Sequence, residues 1–198
     1  DNFYLKGLRD LYNKYGTKFV LNLFYEVHER YKGTFGPFNL SQFPNRFKGE
    51  WEDNAEWLRL AFHSRSEFPN RPYRNAPLSQ IGHDFDMIRE EILRFAGSAY
   101  IPTSITHWTS TTHESFPLLK ERGVRTLCGY FTPKKDTISG ELSYFTNYYL
   151  DDKTSKFLYE HKTIKDFKSG LVLCCLDLLF NNTNIEDIPP KLESIINN

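Results

Sequence analysis

The chain has 198 residues, enough for one domain spanning 1–198 with a substantial buried core. Its 25 basic and 25 acidic side chains cancel, and no basic stripe is present. That balance argues against nucleic-acid and membrane-surface binding.

Aromatic residues make up 16% of the chain, including 17 Phe and 12 Tyr. They suit an aromatic-rich core or a surface on which sugars stack. No apolar run approaches the length of a membrane span and no secretory leader is legible, so a cytoplasmic location is the expectation. Cys174 and Cys175 are adjacent and, on a strand, point to opposite faces. With Cys128 they suggest small buried hydrophobes rather than a disulfide framework.

The periodicity predicts alternating helices and strands. Leu5, Leu8, Leu11, Tyr12 and Tyr15 keep helical spacing, with Gly16 as the stop. Lys18 to Tyr25 reads as a strand, followed by a loop rich in Gly, Pro and Phe from Gly33 to Gly49. A short helix from Glu50 to Glu56 leads into the strand Trp57 to Phe62, which ends at His63. After an irregular stretch from Phe68 to Gly82, the segment Asp84 to Ala96 places Phe85, Ile88, Ile92 and Phe95 on one helical face, closed by Gly97.

Thr103 to Thr106 reads as a short strand ending at His107. Thr111 and Glu114 are spaced as a capping box for a helix that stops at Gly123, with Pro117 disturbing its first turn. Val124 to Tyr130 is the next strand, and Ile138 to Leu150 has an aromatic, hairpin-like pattern. Short helices near Asp152 to His161 and Ile164 to Lys168 precede the apolar strand Leu171 to Leu176. A last helix runs from Pro189-Pro190 to about Ile196.

Apolar strands that alternate with helices predict an α/β fold with mainly parallel strands. About five units fit a small, distorted (β/α) barrel or an open doubly wound sheet. The chain opens on a loop residue and a helix, so a barrel would place its first strand immediately before Asp1.

Asp1, His63 and His107 would then each project from the C-terminal rim of the sheet, where α/β folds place their chemistry. Three convergent nitrogen and oxygen ligands with an open position suit a hydrolytic metal. The competing reading has the two histidines hydrogen-bonded to loop backbone, stabilising the rim. Glu67, beside Arg65 and Arg71, reads either as a ligand or as a surface ion pair. His83, next to Asp84, reads as an N-terminal cap. His113 and His161 read as solvated, and His28 sits in a charged loop.

The opening segment Asp1 to Phe24, the strand ending Phe62-His63-Ser64 and the segment Thr106-His107-Trp108 resemble, in order, a polysaccharide deacetylase (NodB-homology) domain. The resemblance covers most of the chain and implies a NodB-like barrel with a divalent metal, usually zinc, that removes acetyl groups from sugars. It implies that Asp1 is the metal-binding aspartate, with the general base one residue upstream, and that His63 is the first histidine of the family's H-[ST]-x-x-H motif.

Glu67 stands where the second histidine is expected, and carboxylate oxygen is a legitimate zinc ligand. Such a site is more anionic and less Lewis-acidic toward a substrate carbonyl. His107-Trp108 replaces the family's R-x-P segment, and Asp177 follows the strand that in the family ends in an acid/base histidine. Asp177 reads equally as an orienting residue or as a cap. Trp108, beside His107, is the candidate for stacking a sugar; Trp51 and Trp57 read as packing. The expected partner is therefore a carbohydrate or another small-molecule substrate. The alternative is a non-catalytic descendant that binds a sugar or other ligand through the same aromatic rim.

Overall fold

The computed structural model describes residues 3–27, 37–129, 132–135, 142–145, 147–178 and 183–197. Helix α1 (Phe3–Tyr15) ends at Gly16, whose φ of +69° suits glycine. Strands β1 (Phe19–Phe24), β2 (Glu26–Val27) and β3 (Phe38–Asn39) follow, then helix α2 (Lys48–Asp53) and strand β4 (Leu58–Ser64).

Helix α3 (Leu78–Ala96) leads to β5 (Thr103–Ser104), and helix α4 (Phe116–Glu121) to β6 (Thr126–Gly129). The hairpin β7 (Thr132–Lys135) and β8 (Leu142–Phe145) precedes α5 (Asp152–His161), β9 (Thr163–Lys165), β10 (Val172–Cys175) and α6 (Ile188–Ile196).

The parallel strands β1, β4, β5, β6 and β10 follow one another in space in their sequence order. β1 pairs in parallel with β4, Phe19 opposite Leu58. A parallel bridge between Leu60 and Tyr100 and an Ile101 N–H···O=C Leu60 bond of 2.9 Å carry the sheet onward toward β5. β5 pairs with β6, and β6 with β10, again in parallel; β9 closes the edge in antiparallel. The class is α/β, and among the described residues the sheet is open rather than closed into a barrel. Because these strands run parallel, their C-terminal ends lie on one rim.

Helix α3 explains which face of β4 is sealed. Ile81, Phe85, Ile88, Ile92 and Phe95 recur at three- and four-residue spacing and are all buried, as are Leu58, Leu60 and Phe62 of β4. The Phe62 and Phe85 rings meet at 5.2 Å. Strand alternation therefore turns Ala61 and His63 to the other face. Gly97 ends α3 with φ +52°, a backbone conformation that strains any residue bearing a Cβ. Trp51 and Trp57 are buried packing residues, and Trp57 stacks on Tyr12 at 5.2 Å.

Several local expectations are corrected. α3 begins at Leu78 behind an extended Pro77, so His83 is an exposed residue inside the helix and not its cap. Thr111 and Glu114 form no capping box: the turn over His113–Ser115 is a 3₁₀ helix, entered from Thr112 without a side-chain cap. Ile164 to Lys168 is not helical, because Thr163–Lys165 pairs with β10, Ile164 opposite Leu173. That ladder outweighs local helix preference.

Candidate functional site

His63 is the sixth residue of β4, and His107 follows β5 by three residues. The adjacent strands bring the two rings together, His107 Nδ1 lying 3.1 Å from His63 Nε2. Each ring's other nitrogen faces a backbone carbonyl: His63 Nδ1 meets Ile105 O, and His107 Nε2 meets Glu67 O at 3.0 Å. A carbonyl oxygen can only accept, so both outer nitrogens carry hydrogen. The two inner nitrogens are then left with lone pairs pointed at one another. A proton between them removes that repulsion, and a metal ion would do so from off the line that joins them.

Phe24, on the same face of the neighbouring β1, lies edge-on to both rings, with centroids 4.8 Å from His63 and 5.1 Å from His107. Asn22 Oδ1, on that face too, accepts the N–H of Ile105 at 3.3 Å and so steadies the carbonyl-bearing residue behind His63. Burial, helped by nearby His107 and opposed by the Ile105 bond and Glu67, pushes the His63 imidazole down to about 4. Burial also lowers His107, while Glu67 raises it. Desolvation thus opposes a third proton on the pair.

Glu67 stands behind His107: its carbonyl accepts the Nε2–H, and its Oε2 lies 3.9 Å from the same nitrogen. Arg65, one of the two arginines beside Glu67 in the sequence, pairs with Glu26 at 3.1 Å. Among the described residues no group of three or more His, Cys, Asp or Glu is gathered for a metal. Asp1 and His28 lie outside the described residues.

Trp108 is 56% exposed beside His107, with ring centroids 6.0 Å apart, and takes a left-handed φ of +54°. Asp177 is exposed after β10 and pairs with Lys162 Nζ at 3.2 Å. His113 pairs with Asp166 at 3.3 Å, and exposed His161 stacks on Phe157 at 4.1 Å.

Sequence reasoning passed over Phe24, Asn22, Tyr73 and Ser110. Alternation along β1 does put Asn22 and Phe24 on one face, but which face meets His63 depends on the register with β4. Tyr73 and Ser110 lie in loops with no periodic signal.

Among the described residues no helix is long and apolar enough to cross a membrane. Comparison with protein-family models, with curated proteins and with solved structures finds no match to this chain.

Proposed function

We propose that the His63–His107 pair is a divalent-cation site, and that the protein is a metal-dependent hydrolase resembling polysaccharide deacetylases, acting on an acetylated carbohydrate. The observation that carries this reading is the pair of inner ring nitrogens held 3.1 Å apart while both outer nitrogens meet backbone carbonyls. Metal-binding histidines characteristically donate their second nitrogen in this way. Zinc–nitrogen bonds of about 2.0–2.1 Å allow two such nitrogens to share one ion.

His63 Nε2 and His107 Nδ1 would hold the ion, and imidazole ligands suit zinc as well as cobalt, nickel or manganese. The resemblance adds Asp1 as a further ligand. The low pKa of His63 keeps a ligand free of protons at neutral pH. A bound divalent ion supplies Lewis acidity toward a carbonyl and lowers the pKa of water. The chain's own residues prepare the site for that chemistry. Glu67 O fixes the His107 tautomer, Phe24 shields the rings from water, and exposed Trp108 offers a face for a sugar ring. The parallel pairing of β1 with β4 and of β5, β6 and β10 with one another is the part of the scaffold that supports this reading.

The second reading, a non-catalytic carbohydrate binder, is favoured by the exposure of Trp108, which needs no metal. Metal titration followed by deacetylation assays on acetylated sugars separates the two. Uptake of zinc, cobalt, nickel or manganese, with acetate release that a chelator stops, supports the hydrolase. A protein that takes up none of these ions, and gains no thermal stability from any, refutes it.

A further inference from the structure

We infer that Tyr73 is a positioning residue for the two-histidine site, fixing the spacing between the loop that carries Glu67 and the loop that carries His107. The inference rests on the cation site proposed above and extends it to a residue outside that site.

The bonds form a closed circuit. His107 Nε2–H donates to Glu67 O at 3.0 Å. Two residues back along the chain, the Arg65 N–H donates to Tyr73 Oη at 3.2 Å. The Tyr73 N–H donates to Ser110 Oγ at 3.3 Å, and Ser110 Oγ donates to His107 O at 2.8 Å. Tyr73 therefore holds one histidine loop by its hydroxyl and the other by its backbone.

Its own place is fixed from below. The hydroxyl donates to Asp84 Oδ2 on α3 at 3.3 Å, and the ring packs on Phe62 at 6.0 Å. The 65–67 segment has other anchors, through the Glu26 N–H and side chain to Arg65 and the Tyr25 N–H to Ser64, but these tie it to β1 and β2, away from the His107 loop. Rings held this way present their inner nitrogens at a constant separation, which a shared ion requires. Losing one such outer partner typically lowers metal affinity about 10–100-fold.

The test compares Tyr73→Phe, Ser110→Ala and Asp84→Asn in the full chain, using cobalt(II) alone as the probe. Tyr73→Phe removes only the hydroxyl; it should weaken cobalt binding by about tenfold or more and shift the visible absorption of the bound ion. In the metal-free protein, imidazole nitrogen NMR should show His107 losing its single Nε2–H tautomer. Ser110→Ala cuts the circuit elsewhere and should act in the same direction, which covers a Tyr73→Phe that folds poorly. Asp84→Asn keeps an acceptor for the hydroxyl and should leave the cobalt spectrum and the tautomer as in the wild type.

Wild-type affinity, spectrum and tautomer in both Tyr73→Phe and Ser110→Ala overturn the inference. If the wild-type protein takes up no cobalt, the cation reading falls, and the NMR of the metal-free proteins alone decides the positioning role.

Discussion

The Tyr73 hydroxyl donates to the Asp84 carboxylate at 3.3 Å, with both residues only 1% exposed. Asp84 Oδ1 has no hydrogen-bond partner among the described residues. Burial raises the pKa of Asp84, partly offset by the Tyr73 bond and the charge of Arg65. It also pushes Tyr73 well above the ordinary phenol value. A carboxyl of this kind costs the fold stability whenever it is ionised.

That cost has a definite pH dependence. The folded pKa lies above the unfolded value, so the folded state holds the proton more tightly and stability falls as pH rises toward the folded pKa. The full penalty is present above the folded pKa and disappears below the unfolded one. Asp84→Asn should therefore melt higher than wild type at pH 7, by about 2–4 °C for each kcal/mol regained. The gap should close as the solution is acidified through the carboxylate range. A melting difference that stays constant from pH 7 to pH 4 would refute this assignment.

The histidine pair predicts a linked change in stability. An ion present at about 100 times its Kd stabilises the folded state by about 2.7 kcal/mol. His63→Ala and His107→Ala should each abolish the rise in Tm that zinc gives the wild type. Calorimetric scans with and without zinc check it, and a variant that keeps the full zinc shift rules its histidine out as a ligand.

Trp108 separates stability from binding. A bulky side chain at φ +54° is strained, and glycine takes that conformation freely. Trp108→Gly should keep or raise Tm while weakening binding of an acetylated oligosaccharide. A stacking contact of about 1 kcal/mol corresponds to about a fivefold loss of affinity. Unchanged sugar affinity in the glycine variant would remove Trp108 from the binding surface.

The core makes the most direct prediction. Ile88 is fully buried on the face of α3 that meets β4. Ile88→Ala should cost about 2–5 kcal/mol, read as a lower urea midpoint at unchanged slope. A loss below about 1 kcal/mol would mean that α3 does not seal the sheet as described.

Much of this arrangement can be read from the amino acids. β1, β4, β6 and β10 are apolar runs, and the Phe85, Ile88, Ile92 and Phe95 stripe marks α3. His63 and His107 stand out because one lies at the end of an apolar strand and the other just after one. Other features depend on contacts between distant segments. Pro77 masks the first turn of α3, although a helix tolerates proline at its start. Ile164 joins a strand only because Leu173 lies opposite. The pairing of the two imidazoles, and the Tyr73 circuit around them, follow from strand adjacency and loop closure, which local patterns do not encode.

The antiparallel β9 also bears on how the molecule behaves among its own copies. An open sheet presents unpaired backbone groups at its border, an invitation to accidental strand addition and aggregation. Here that border is only three residues long, with Thr163 and Lys165 exposed. Lys162 before it takes a left-handed turn at φ +65°, and the chain bends away again at Gly170 with φ +78°. Short, charged and bounded by turns, β9 gives a foreign strand little length on which to grow.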